Sequence, residues 1–155
     1  MSERYDIAIV GYGSVGQTLA ILLGLKGWSV GVFGPHAGQL FVQGRVQRGG
    51  VTGLLDDVGG RGWTLLSPFC DPAAQLDAAA AAFFASIGGI SAQVGPDGPV
   101  RDVDGSYAKW FAAAGVEVVL QRPDFYIFGT ASTANGAGKL ISQLRRALTS
   151  GSSAV

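Results

Sequence analysis

Three glycines near the N-terminus have the spacing of a phosphate-binding turn. Gly11, Gly13 and Gly16 directly follow a short apolar run, with Ser14 and Val15 between the last two. The first glycine permits a tight turn, the second lets the backbone approach a phosphate, and the third lets a helix pack closely on a strand. The free N–H groups and the dipole of that helix favour an anion. We therefore predict a pyrophosphate-binding turn, with these five residues as its cofactor-binding positions.

The surroundings of the turn matter more than the pattern, because glycine is 25 of 155 residues and the bare spacing arises easily by chance. Residues 5–10 are apolar and β-branched, which predicts a buried strand. Residues 15–25 have helical periodicity and end before Gly27, and residues 28–33 predict a second strand. This order predicts a Rossmann-type βαβ element.

One component of a dinucleotide site is missing from this element. The second strand should be followed by an Asp or Glu that holds the ribose hydroxyls. Here the chain continues as Phe33-Gly34-Pro35, and after Asp6 the next acidic residue is Asp56. The sequence therefore contains the phosphate half of the site without the ribose half.

Residues 34–62 contain nine glycines and little periodicity. We predict a long loop or extended arm here, with order only at residues 39–42 and 53–55, although such a loop is unusual within a compact domain.

Regular patterns return after the arm. Asp104 is a plausible N-cap for one of the helices, and Arg122-Pro123-Asp124 is the predicted turn of a hairpin. The predicted elements are strand 63–67, helix 72–87, strand 90–95, helix 104–114, strands 116–121 and 125–130, and helix 138–148. This order is that of a thioredoxin-like domain. The predicted fold class is thus α/β, with a βαβ element (residues 1–34), an arm (35–61), a thioredoxin-like domain (62–150) and a tail (151–155).

Two long stretches carry a resemblance to one family. The N-terminal stretch YDIAIVGYGSVGQTLAILLGLKGWSVGVF resembles FAD-dependent aromatic-ring hydroxylases, in particular the 3-(3-hydroxyphenyl)propionate hydroxylase type. The stretches GRVQRGGVTGLLDDVGGRGWTLLS and RDVDGSYAKWFAAAGVEVVLQRPDFYIFGTA are similar to the C-terminal thioredoxin-like domain of that family. The resemblance implies FAD as the cofactor, with the several hundred residues of the family's middle absent near Gly34.

The absent middle would contain most of the flavin site. The family's Asp-Gly and Gly-Asp motifs, which hold the rest of FAD, are not found, and neither are the substrate and isoalloxazine sites. Only Gly11, Gly13, Ser14, Val15 and Gly16 carry over, at the pyrophosphate. We expect the chain alone to be unable to enclose a flavin, and we assign no catalytic residue.

Other reactive residues have simpler interpretations. A redox-active thioredoxin-like domain has C-x-x-C where its first strand meets its first helix, but residues 67–70 read Ser-Pro-Phe-Cys. Cys70 is the only cysteine, so no disulfide cycle within the chain is possible; a monothiol role is conceivable, but a structural one is favoured. His36 lacks a partner in sequence and is interpreted as a loop histidine.

Two acidic pairs and one aromatic cluster also have simpler interpretations than a binding site. Adjacent Asp56 and Asp57 on a strand would point to opposite faces and make a poor metal site. Asp102-x-Asp104-Gly105 resembles the start of a calcium loop, but Ala113 replaces the required glutamate. The aromatic side chains of the helix at 104–114 have core spacing rather than that of a stacking platform; they are Tyr107, Trp110 and Phe111.

Composition excludes some functions. Eleven basic and eleven acidic residues give no net charge, so neither nucleic acid nor an anionic membrane surface is an expected partner. With one cysteine and one histidine, no metal site built on those ligands is expected. Glu3 and Asp6 do not suit a signal peptide, and the apolar run at 19–25 is too short for a bilayer, so we expect a cytoplasmic protein. Only 14% of residues are charged, which favours self-association.

The predicted function is a truncated FAD-dependent aromatic hydroxylase without a complete flavin or substrate site. An alternative is a non-catalytic thioredoxin-like module that binds a protein, such as a second copy or a full-length relative. A deletion product without a selected role is a third possibility.

Overall fold

The computed structural model describes residues 6–9, 14–28, 30–32 and 36–150. Its first unit is the predicted strand–helix–strand, with β1 (Ile7–Ile9), α1 (Ser14–Leu25) and β2 (Val30–Val32). The two strands pair in parallel as a separate two-stranded sheet. Helix α1 ends at Gly27, as predicted: its φ of 84° is left-handed, and the following amide of Trp28 donates to the Leu23 carbonyl.

A seven-stranded sheet forms the rest of the fold, in the order β4-β3-β7-β6-β5-β8-β9. Its strands are β3 (Arg45–Arg48), β4 (Val51–Leu54), β5 (Thr64–Ser67), β6 (Ile90–Gly95), β7 (Val100–Asp102), β8 (Val118–Gln121) and β9 (Ile127–Ala131). The sheet is mixed: β5 runs parallel to β6 and antiparallel to β8, and β6 runs parallel to β7.

Four α-helices and two 3₁₀ turns accompany these strands. The α-helices are α2 (Leu55–Gly59), α3 (Ala78–Ser86), α4 (Ser106–Ala114) and α5 (Ala137–Ser150), and the 3₁₀ turns are Pro72–Gln75 and Ala134–Gly136. The predicted strands and helices from β5 to α5 occur in the predicted sequence, but an additional strand, β7, lies between β6 and α4, and the single helix predicted at 72–87 is wrong. Asp71 and Asp77 each accept a backbone N–H bond at the start of a separate helical piece, so the chain forms a 3₁₀ turn and then α3.

The prediction of a loop at residues 34–62 is wrong for much of that stretch. Strands β3 and β4 form an antiparallel hairpin whose two turn residues are Gly49 and Gly50, with φ of 56° and 83°. Two consecutive residues with positive φ are what a two-residue hairpin of the favoured twist requires, and two glycines supply them without steric cost. The hairpin joins the main sheet because β3 pairs with β7, a strand that the sequence analysis missed.

Helix α4 begins later than predicted, and its cap is a different residue. Asp104 is not the N-cap. Instead Asp102 accepts hydrogen bonds from the backbone N–H groups of Ser106 at 3.1 Å and Ala108 at 3.0 Å. Asp104 is occupied by Arg45, with which it forms an ion pair at 2.7 Å between Nη2 and Oδ1. The two acids therefore have separate tasks, one at the helix start and one at the hairpin.

The sheet is covered on both faces. On one face α4 packs over Leu66, together with Phe41 and Leu55 from the stretch of residues 35–61 that was predicted to be an arm. On the other face α3 and α5 pack over Leu65. Helix α5 buries Leu140, Ile141 and Leu144, whereas Leu148 near its end is 45% exposed.

The two acids before α4 provide a test of this capping arrangement. Asp102→Ala leaves two N–H groups in the first turn of α4 without their acceptor, so we expect it to lower the free energy of unfolding by about 1–2 kcal/mol. Asp104→Ala breaks a solvent-exposed pair and should cost clearly less. Urea unfolding of both variants measures the difference; a larger loss for Asp104→Ala would contradict the assignment of the cap.

Candidate functional site

The first candidate is the start of helix α1, where the sequence predicts a pyrophosphate. Ser14, Val15 and Gly16 are the first three residues of this helix, so their backbone lies where an anion would be expected. Gly11 and Gly13 lie outside the described residues. The position of the helix start agrees with the prediction, and pyrophosphate binding itself stays a prediction.

A complete FAD does not fit the residues that the structure describes. The βαβ unit offers two paired strands of three residues each, too little to surround a flavin ring. The next acid along the chain, Asp56, lies at the start of α2, where it accepts a hydrogen bond from the Gln43 amide at 2.9 Å. It also lies 3.7 Å from the Arg61 guanidinium. Asp56 is therefore bonded within the seven-stranded unit and does not supply the ribose-binding carboxylate for the start of α1.

The second candidate is the junction between β5 and the 3₁₀ turn, where a thioredoxin-like domain would carry its two cysteines. Ser67 occupies the first position; it is completely buried and its Oγ accepts a hydrogen bond from the Phe69 amide at 3.2 Å. Cys70 is partly buried, and Asp71 behind it accepts bonds from Ala73 N–H and Ser91 Oγ. The junction is therefore a hydrogen-bonded turn with one sulfur, which suits a structural role.

The third candidate is a cleft that the sequence analysis missed. Its volume is about 210 Å³, and it lies between residues 40–43, the segment from α2 to β5, and the turn after β8. Phe41, Leu55 and Phe125 supply apolar walls. Its cations are already neutralised, because Arg61 is within 4 Å of two aspartates and Arg122 contacts Asp124 at 2.6 Å. The charged side chains that line the cleft are therefore paired with one another or with neighbouring residues.

A buried tyrosine of α4, Tyr107, contacts Gly44, which lies in the stretch of residues 35–61 that was predicted to be an arm. The Tyr107 side chain is fully buried, and its hydroxyl lies 3.3 Å from the Gly44 nitrogen, from which it accepts a bond, and 3.4 Å from the Gly44 oxygen. A Cβ on Gly44 would stand 2.7 Å from Ser106 Cβ, so a glycine is needed for this close approach. Burial raises the pKa of the Tyr107 phenol above 10.0, against a smaller opposing effect of the Gly44 hydrogen bond.

The prediction that the aromatic side chains of α4 belong to the core is confirmed. Tyr107 and Phe111 are core residues, and Trp110 packs against the same core. Phe41 meets Trp110 edge-to-face with ring centroids 4.8 Å apart. The rings of His36 and Trp110 meet edge-on, with their centroids 5.9 Å apart. His36 has a left-handed φ of 65°, which agrees with its interpretation as a loop histidine.

The acidic pairs need one correction. Asp56 and Asp57 lie in the first turn of α2 and not on a strand, so the argument from opposite strand faces was wrong. Both are instead within 4 Å of Arg61. Within residues 6–9, 14–28, 30–32 and 36–150, no three His, Cys, Asp or Glu side chains are grouped as a metal site would need. In the same part of the chain, no helix is long and apolar enough to cross a membrane.

The family comparison covers most of the seven-stranded unit. The HcaD C-terminal domain family matches residues 38–147, which is well over half of the chain. The chain belongs to this family. The match begins before the β3–β4 hairpin, so the family's domain includes the stretch that the sequence analysis took for a connecting arm.

Known relatives of this HcaD C-terminal domain protein are hydroxylases. The chain is 33% identical over 121 residues to the probable NADH-specific resorcinol 4-hydroxylase of Rhodococcus jostii strain RHA1, covering 75% of this chain and 23% of that protein. It is also 33% identical over 109 residues to the 3-(3-hydroxy-phenyl)propionate/3-hydroxycinnamic acid hydroxylase of Comamonas testosteroni, covering 61% and 18%. The resemblance to aromatic-ring hydroxylases is thereby confirmed.

A solved structure shares the fold. The flavin-dependent monooxygenase PieE, solved in complex with FAD and substrate, is similar with a TM-score of 0.54 and 24% identity, covering 78% of this chain and 21% of PieE. This HcaD C-terminal domain protein spans about a fifth of the length of the relatives it matches.

Tyr107→Phe tests the attachment of the former arm to α4. Removing the hydroxyl leaves the buried Gly44 N–H without its acceptor, so we expect a loss of about 1–3 kcal/mol in the free energy of unfolding at neutral pH. The pKa of the native phenol is raised, so above pH 10 the unfolded chain loses this proton before the native chain does, and wild-type stability falls as pH rises.

The phenylalanine variant lacks this titration. The stability gap between wild type and Tyr107→Phe should therefore narrow as the pH rises past the ordinary tyrosine pKa of about 10. Urea unfolding of both proteins at neutral and alkaline pH measures the gap. A gap that stays constant or widens would contradict the account of the buried phenol.

Proposed function

We propose that this chain is a truncated member of the FAD-dependent aromatic hydroxylase group, made mainly of the group's C-terminal domain and lacking a complete flavin site. The observation that carries the proposal is the family match over residues 38–147, combined with two hydroxylases at 33% identity. The complete relatives are named for resorcinol and for 3-(3-hydroxy-phenyl)propionate, so a phenolic ring is the proposed substrate class of the enzyme from which the chain derives.

The finer description of the fold is part of this proposal. Five adjacent strands lie in the order β7-β6-β5-β8-β9, with β5 and β6 parallel and β8 and β9 antiparallel. Together with α3, α4 and α5, this order supports a thioredoxin-like domain. The parallel β1–α1–β2 unit supports a Rossmann-type element whose helix start, at Ser14 to Gly16, would hold a pyrophosphate through backbone N–H groups.

The thioredoxin-like domain is proposed to be non-redox. A dithiol cycle needs two sulfurs, and the first position is the buried Ser67. Its hydroxyl is engaged by the Phe69 amide, which supports a role in fixing the turn. The domain's task in a hydroxylase would therefore be structural or associative rather than catalytic.

Ring hydroxylation places a demand on the protein that this chain does not meet. A flavin supplies the oxygen chemistry in such enzymes, and the protein must bind it, orient it and exclude water. No acidic residue lies between Asp6 and Asp56 in the sequence, so the ribose-binding acid that should follow β2 is missing. We accordingly propose that the chain alone has no hydroxylase activity.

An FAD titration tests the proposal directly. The purified chain should be colourless, and isothermal titration with FAD should give no stoichiometric binding, because the helix start alone offers only a weak anion site. The full-length resorcinol hydroxylase serves as the positive control. Stoichiometric FAD binding that is abolished by Gly13→Asp would contradict the loss of the flavin site.

A second candidate function is a non-catalytic thioredoxin-like module that binds a protein. Exposed apolar side chains on the seven-stranded unit favour it: Leu40 is 65% exposed, Val51 62% and Phe69 67%. The absence of any selected role, as in a deletion product, is a further possibility. A protein-binding module is distinguished from the first proposal by measuring whether the chain associates with a second copy or with a full-length relative, and not by the FAD titration. A cytoplasmic location accords with all three.

A further inference from the structure

Helix α1, and Trp28 three residues beyond its end, expose several large apolar side chains. The exposed fractions are Leu19 44%, Ile21 63%, Leu22 53%, Leu25 79% and Trp28 51%. Between residues 18 and 28 the only charged residue is Lys26. A helix that is apolar on nearly all sides is normally buried against a partner.

The area of this surface is large for a single chain. Together the five side chains present on the order of 600 Å² of surface, at the upper end of the roughly 300–600 Å² found for the largest apolar patch of a typical monomer. A stable interface buries roughly 800 Å² on each partner, so the α1 face would supply about three quarters of one side. An apolar patch as large as the largest on a typical monomer is often a functional surface.

We propose that two copies of this chain pair through their α1 helices. The chain has no net charge, so no overall repulsion keeps copies apart. A two-fold dimer joins the same patch on both partners, and an uncharged apolar face is complementary to itself. The proposal does not depend on a flavin or on any hydroxylase activity.

Sedimentation velocity on the full chain over a range of concentrations tests the pairing. Wild type should be a dimer at micromolar concentrations. Ile21→Glu and Leu25→Glu each place a charge in the proposed interface and should weaken the dimer by on the order of tenfold or more, because a buried leucine-sized contact is lost and a charge is desolvated. Far-UV circular dichroism checks that each variant is folded; Leu25→Gln replaces a variant that is not.

Phe69→Glu is the matched control, because Phe69 is 67% exposed but lies on the seven-stranded unit, beyond β5. It should leave the dimer unchanged. A wild type that is monomeric throughout would overturn the proposal. So would a dimer that Phe69→Glu disrupts and the α1 variants do not, or a monomer that forms a one-to-one complex with the full-length resorcinol hydroxylase through α1.

Discussion

Strand β5 is buried on both faces, and this two-sided burial determines how the rest of the larger unit is built. Leu65 and Leu66 are neighbours in sequence, point to opposite faces and are both completely inaccessible to solvent. A strand of this kind needs an apolar layer on each side. Helices α3 and α5 supply one layer. Helix α4 supplies only part of the other, and Phe41, Val46 and Leu55 complete it. The glycine-rich stretch before β5 is therefore a component of the core and not a link between two units.

Most elements from β5 to α5 could be predicted because local signals and tertiary contacts agree there. Strand β6 has the predicted bounds, and the helix ends at Gly27 and Gly115 follow from the left-handed conformation that glycine adopts readily. The β3–β4 hairpin was missed because both strands have only four residues and β3 is mostly polar, so period-two alternation was weak; Arg45, Gln47 and Arg48 gave no apolar pattern. The signal that could have revealed it was the Gly49-Gly50 pair between Arg48 and Val51. Strand β7 was missed for a similar reason, since its three residues include one apolar side chain.

The candidate site was predictable only where backbone geometry follows from residue type. The start of α1 at Ser14 agrees with the glycine pattern, because a helix that begins at this point is what the spacing requires. The cleft and the Tyr107–Gly44 contact could not be predicted, since each joins residues far apart in sequence: Gly44 and Tyr107 are 63 positions apart, and the cleft brings residues 40–43 against residues 121–125. Asp102 and Asp104 show the same limit: both are suitable N-caps by residue type, and the pairing of Asp104 with Arg45 decides between them.

Pairing of β3 with β7, and packing of Val46 in the same core as Leu66, place the β3–β4 hairpin in the same cooperative unit as β5 and β8. Amide hydrogen exchange on the intact chain tests it, because residues that open together exchange with the same free energy. We predict that the hydrogen-bonded amides of β3 and β7 are protected to nearly the same degree as those of β5 and β8. If β3 exchanged as fast as an unstructured segment while β5 and β8 stayed protected, the hairpin would be an independent arm and the account would be wrong.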